Sequence, residues 1–286
     1  MKPDFDAAHH FLAATARVLD RRRFERLFLG GAAGPVRDAV LAYRNPDGGF
    51  GHALEPDGRG DGTQPLAIQL ALQTLEEAGA WDDAVARDVL GWLAGHAPAE
   101  GGAVAFEPMA GWPHAPWCVP DEGRPTSLIT TALLAGTLLS HQIGHPWLDR
   151  ATDLVWGRLG DLAGAGPYDL RAVLHFLDRV PDRDRARQAL RTVGPVILDG
   201  GLVTLDPEAP GEIHTPLDFA PLPGSLGRAL FPAAVIEQHL DHLAAAQQPD
   251  GGWTFNWLAW SPAATADWRG AVTVDALARL RANGRA

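Results

Sequence analysis

Four times along the chain an acidic residue is followed by two glycines: Asp47-Gly48-Gly49-Phe50, Glu100-Gly101-Gly102, Asp199-Gly200-Gly201 and Asp250-Gly251-Gly252-Trp253. The spacing is about fifty residues, doubled once between Glu100 and Asp199, and the glycine-rich stretch from Gly160 to Gly166 occupies the slot that is left. That period fits about five to six times into the 286 residues. A repeat of this length is one helical hairpin, which cannot bury its apolar face alone and must stack on its neighbours. The loop has a mechanical reading. Glycine ends a helix by taking positive φ, the acid accepts backbone N–H groups in the turn, and the next residue plugs the gap between hairpins.

Apolar patterning between the loops predicts helices over 64–79, 126–141, 167–180 and 268–282, each following a Pro/Gly-rich loop and apolar on most faces. Leu66, Ile68, Leu70, Leu72 and Leu75 mark the first of these, and Leu128, Ile129, Leu133, Leu134 and Leu138 the second. Segments 34–44, 82–96, 146–162, 182–194 and 231–247 alternate with them and are more amphipathic, with charges such as Asp82, Asp83, Arg87 and Asp88 on one side. Inner helices packed on several sides and outer helices packed on one would produce this contrast. Strand signals are confined to short stretches, Val104-Ala105-Phe106 and Leu202-Val203-Thr204-Leu205. The expected fold is therefore a single all-α domain over residues 1–286. One interval departs from the pattern. Between Asp199 and Asp250 there is room for an outer helix but not an inner one, and Leu205 to Leu230 carries Pro207, Pro210, Pro216, Pro221 and Pro223. Such a segment cannot be helical throughout, and it is expected to run extended in place of an inner helix.

Composition narrows the partners. The formal charge is -11, and the only basic run, Arg21-Arg22-Arg23, reads as the solvated end of the first helix. Nucleic acid is not an expected partner, because phosphate neutralisation needs clustered cations. Cys118 is the only cysteine, so no disulfide can form within the chain and no thiolate-rich zinc site is possible. The eleven histidines show no metal-ligand spacing, and His9-His10 would diverge on a helix. Neither a metal nor a cofactor is expected. The first residues lack the basic and apolar regions of a secretory signal, and nowhere do 18 apolar residues run unbroken. A cytoplasmic protein without a transmembrane segment is the expectation, with the oligomeric state open.

Gln247-Gln248-Pro249-Asp250-Gly251-Gly252-Trp253 resembles the QW repeat of squalene-hopene and oxidosqualene cyclases, and Asn45-Pro46-Asp47-Gly48-Gly49-Phe50-Gly51 is similar both to that repeat and to the Gly-Gly-Phe-Gly loops of prenyltransferase β-subunits. The resemblance implies an α/α toroid, a double ring of about five to six helical hairpins. It also implies an apolar isoprenoid or polycyclic small molecule as substrate, and a bracing role for Asp47, Gly48, Gly49, Phe50, Gln247, Asp250, Gly251, Gly252 and Trp253. The acidic motifs of the family are absent. There is no Asp-x-Asp-Asp and no Asp-Asp-x-x-Asp, and Cys118 has no acid two residues before it to complete a zinc set.

In an inner–outer ring the loops leading into the inner helices gather at one mouth, where helix N-termini point. Those loops run from Gly51 through Glu55 and Asp57 to Gln64, from Gly111 to Glu122, from Gly164 to Pro167, and from Thr254 to Arg269. They carry Trp112, Trp117, Trp257, Trp260, Trp268 and Arg269 as candidate substrate contacts, the tryptophans standing equally as pocket walls or as seals of the barrel end. Glu55, Asp57 and Asp121 are candidate acids, with His114 as a partner, each also readable as a helix cap or loop tie. His214 and Asp218 join them if the proline-rich segment crosses the mouth. Three functions follow: an acid-initiated cyclase-like enzyme, a non-catalytic toroid binding an apolar ligand or a partner, and a carbohydrate-active toroid using paired carboxylates.

Overall fold

A computed structural model describes residues 2–285; Met1 and Ala286, the ends of the expected domain, lie outside them. Among the described residues the chain is all-helical. In chain order the helices are α1 (Phe5–Thr15), α2 (Val18–Phe28), α3 (Gly34–Leu41), α4 (Pro65–Glu77), α5 (Asp83–His96) and α6 (Leu128–Ser140). They continue as α7 (Pro146–Arg158), α8 (Pro167–Arg179), α9 (Arg183–Asp199), the single turn α10 (Pro216–Phe219), α11 (Ala233–Ala245) and α12 (Pro262–Ala282), with a 3₁₀ helix at Leu226–Leu230. No strand forms, so the stretches at 104–106 and 202–205 that read as extended remain loop; pairing is limited to the isolated bridges Arg44↔Phe50 and Gly58↔His114. No helix is long and apolar enough to cross a membrane. The residues gather into two compact units, one of residues 40–202 and one drawn from both chain ends, up to Ala39 and from Val203 onward.

The unit of residues 40–202 is three hairpins in two layers. α4, α6 and α8 lie side by side, α5 and α7 pack on each other behind them, and α9 returns on α8. The two predicted classes of helix are visible in burial. α6 buries residues on every side, from Thr130 to Leu138, whereas α7 buries the single stripe Trp147, Leu148, Ala151 and Val155. Gly136 lets α6 and α8 approach, since a Cβ there would lie 2.9 Å from the His175 ring and 3.0 Å from the Phe176 Cα. Prolines at the first turn start α4, α7 and α8 where a missing N–H costs nothing.

The unit formed by the chain ends packs α1 and α2 on α12, and α12 on α11. The arginine run belongs to the middle of α2 rather than to a solvated end. Fully buried Asp20 receives Arg17 at 2.8 Å and Arg23 at 3.5 Å, while Arg23 also reaches Asp275 and Arg21 donates to the Ala16 carbonyl. α12 begins at Pro262, six residues before the predicted start, because Ser261 caps Ala264 N–H and Pro262 presets the first turn. α9 continues through Pro195 to Asp199, so the third acid-Gly-Gly is a helix end rather than a bracing loop.

The other three loops repeat one geometry. Gly48, Gly101 and Gly251 have φ of 91°, 92° and 92°, and each meets a helix. A Cβ at Gly48 would lie 3.1 Å from Asp88 of α5, at Gly101 3.7 Å from Arg150 of α7, and at Gly251 2.2 Å from the Ala7 carbonyl of α1. The second glycines face inward, where a Cβ would fall 2.1 Å from Thr63, 2.6 Å from Thr131 or 2.6 Å from the Phe11 ring. Asp47 accepts the Gly49 N–H, the Thr63 hydroxyl and the Trp92 indole N–H at 3.0, 2.8 and 3.1 Å. Phe50 and Trp253 plug the core, and the Trp253 indole donates to the Leu243 carbonyl at the end of α11.

Two stability predictions follow from this packing. Gly251→Ala combines a strained φ with a backbone collision and should cost about 2–4 kcal/mol in urea denaturation. Gly111→Ala, at φ 83° with open space around it, should cost only about 1 kcal/mol; equal losses would refute the packing account. His175 of α8 sits with Nε2 3.0 Å from the Thr137 hydroxyl and Nδ1 3.5 Å from the Gln73 amide nitrogen. Burial, then the Arg179 charge, pulls its pKa from 6.5 to about 3, against the backbone of Leu133. The folded value is depressed, so His175 leaves stability intact above pH 6.5 and erodes it as pH falls toward about 3, the unfolded chain taking up the proton that the folded chain refuses. The slope is at most about 1.4 kcal/mol per pH unit. His175→Gln should flatten the curve of stability against pH across this window, and identical slopes in both proteins would refute the assignment.

Candidate functional site

Two lead-in loops of the unit of residues 40–202 come together ahead of α4 and α6. The Arg59 N–H donates to the Pro113 carbonyl at 3.1 Å and the Ala115 N–H to the Asp57 carbonyl at 2.8 Å, with Gly58 bridged to His114. Met109 covers Gly58 and Gly60, since a Cβ at either would lie 3.1 or 3.3 Å from it. His52 and Ala53 both hold positive φ, 56° and 63°, and the His52 ring bonds the Asn45 amide oxygen at 2.8 Å. At the base, the Gln64 side chain donates to the Glu107 carbonyl at 3.2 Å and accepts the Glu107 N–H at 2.9 Å.

Glu55, Asp57, His114, Trp112 and Trp117 all lie on this loop pair. Glu55 Oε2 accepts the N–H groups of Asp57 and Gly58 at 3.0 and 2.9 Å, which makes Glu55 the tie of its own turn. Asp57 is 5% exposed. His114 Nδ1–H donates to the Ala115 carbonyl at 2.9 Å. Cys118 is buried, and its thiol is pushed far above its ordinary range by burial, then by the Glu55 and Asp57 carboxylates. Trp112 and Trp117 are 47% and 40% exposed, and Val119 is exposed beside them. Asp121 lies on the outer part of the loop, its carbonyl accepting the Arg124 N–H at 3.1 Å.

The remaining candidates belong to the unit formed by the chain ends. Thr215 N–H and hydroxyl donate to Asp218 Oδ2 at 2.8 and 2.9 Å, capping α10, and Arg279 reaches Oδ1 at 3.5 Å. His214 is buried and its carbonyl accepts the Thr204 N–H at 2.7 Å; His239 Nε2–H donates to the Leu205 carbonyl at 3.0 Å. The proline-rich segment is packed at its centre, where Leu217, Phe219 and Ala220 are buried, while Leu205 and Leu222 are exposed, and it holds one α-turn and one 3₁₀ turn. Trp257 stacks on Phe255 at 4.6 Å and meets Trp268 edge-on at 5.1 Å. Trp260 lines an open groove of about 450 Å³ with Phe11, Pro262, Thr265 and Arg269. A second groove, of about 480 Å³, lies in the other unit between the Leu159–Ala165 loop and α9.

Trp268 and Arg269, read from sequence as the junction of the last lead-in loop and the helix expected from 268, stand well inside α12. Arg269 grips Asp250 through two 2.8 Å bonds, crosses the Phe11 ring at 4.5 Å and donates to the Trp253 carbonyl. That grip holds the Asp250 carboxyl below its ordinary range. Glu107, Gln64 and Met109 escaped the sequence reading. The usable signal was Gln64 before Pro65, a helix-cap position whose side chain seeks a backbone partner. Among the described residues no group of three His, Cys, Asp or Glu side chains is arranged to hold a metal. No protein-family model matches the chain, and no curated protein matches it.

Arg269 braces the last Gly-Gly loop, so Arg269→Ala should lower stability by about 1–2 kcal/mol through the lost ion pair and ring contact. Unchanged thermal stability would return Arg269 to the list of ligand contacts.

Proposed function

We propose that the chain is a cyclase-like enzyme that takes an apolar isoprenoid or polycyclic ligand at the loop pair ahead of α4 and α6, with Asp57 as its acid. The observation that carries this reading is the pairing of exposed Trp112, Trp117 and Val119 with a buried carboxylate on the adjoining loop. Exposed tryptophans give an apolar landing surface whose π faces also favour a developing cation. Asp57 is taken as the acid because it is buried and its carbonyl is bonded to the tryptophan-bearing loop at Ala115, while Glu55 Oε2 ties its own turn. In the step envisaged, the Asp57 carboxyl gives its proton to an alkene carbon and the π electrons form the new C–H bond. The resulting cation is quenched by loss of a proton from carbon back to Asp57, so the reaction is redox-neutral.

The toroid implied by the resemblance belongs to the same reading. It is supported by three consecutive two-layer hairpins, and by a last Gly-Gly loop that meets α1 as Gly48 meets α5 and Gly101 meets α7. The second reading, a non-catalytic binder of apolar ligands, draws on the same tryptophans and on the ties that occupy Glu55 and Asp218.

Tryptophan fluorescence titrated with squalene, alongside product analysis by gas chromatography, separates these readings. Trp112→Ala and Trp117→Ala should each weaken binding about fivefold or more. Asp57→Asn should keep binding and abolish conversion. Binding without conversion by the unaltered protein selects the second reading, and absence of binding overturns both.

A further inference from the structure

We infer that the chain from Glu107 to Arg124 is a hinged lid, latched by its own ends, whose opening gives access to Asp57 and Cys118. The inference rests on the proposed site in one respect: a buried acid can meet a ligand only if something above it moves. The ends of the segment are joined. Arg124 Nη2 donates to Glu107 Oε1 at 2.6 Å, and Glu107 is fixed to the body of the unit through both of its backbone groups by buried Gln64, the residue before α4. Arg124 reaches Glu107 from a left-handed backbone, φ 52°, a conformation that a non-glycine residue holds only when its surroundings impose it.

Between the latched ends the described residues form no helix or strand, and backbone hydrogen bonds at Pro113 and Ala115 tie the segment to the loop below. Its side chains divide by face. Met109, Ala115 and Cys118 point into the unit and are buried, while Trp112, Trp117 and Val119 are exposed. A segment without helix or strand, with closed ends and an apolar inner face, opens as a body at lower cost than the helices beneath it. Ligand entering between Asp57 and the lid would be met by the inner apolar residues, with the tryptophans serving as the approach surface. The latch is an ion pair half-exposed at Arg124, so it is weakened by salt.

Cys118, the only thiol of the chain, reports the opening directly. The measurement is the rate of labelling by a soluble disulfide reagent in the intact protein without ligand, as a function of urea at fixed pH. Opening of the lid gives labelling that is insensitive to low urea. Arg124→Ala and Glu107→Gln should each raise the rate about threefold to fivefold while the urea midpoint of global unfolding stays in place. Labelling that tracks global unfolding at every urea concentration, or a rate unchanged in both variants, overturns the lid. Because no ligand is present, failure of the isoprenoid reading leaves this outcome untouched.

Discussion

The contact on which the helical packing depends is the one between a left-handed glycine and a helix packed against its loop. At Gly251 there is no room for even a methyl group, because the Ala7 carbonyl would lie 2.2 Å from it. A backbone approach that close aligns one hairpin on another without long side chains, and the acid beside it satisfies the turn. The three loops that keep this geometry differ in how they complete it. Asp47 gathers Thr63 and Trp92, Asp250 is clamped by Arg269, and Glu100 faces solvent opposite Arg158 while the Trp147 indole takes the Gly102 carbonyl. The glycine pair is the constant, and the acid is adapted to its surroundings.

That distinction explains what was legible in the sequence. All nine predicted helices form, and the contrast between α4 or α6 and α7 in burial follows the apolar pattern, because period and amphipathicity are local properties. The errors lie where local signals compete. The helix expected over 182–194 runs on through Pro195 to Asp199, and Ser261-Pro262 read as loop yet starts α12. Asp199-Gly200-Gly201 matches the motif by letters, but α9 runs through Asp199 and the glycines only end it. A motif three residues long cannot say whether its acid begins a turn or finishes a helix.

The candidate site was legible as a set of loops and not as a set of partners. Placing Trp112, Trp117, Glu55 and Asp57 near one another required only the order of the helices. The roles of those residues depend on contacts between residues far apart in sequence, such as Glu107 with Gln64 and Ala115 with Asp57. Such pairings leave little trace in composition. Asp218 shows the same limit from the other side, since the acid that looked available in a proline-rich stretch caps a single helical turn.

Several carboxylates carry architecture: Glu55, Asp47, Asp218 and Asp250 each accept a donor from their own turn, the last three with partners from elsewhere as well, and Asp20 is held by Arg17 and Arg23. Asp57 is buried on the adjoining loop, and its main-chain carbonyl accepts the Ala115 N–H of the segment that covers it. One residue thus joins the cover to the floor. The backbone bond from Ala115 links Asp57 to the segment that carries Trp112 and Trp117, so displacement of that segment would disturb both. A ligand that drew the tryptophans toward itself would uncover the acid by the same movement.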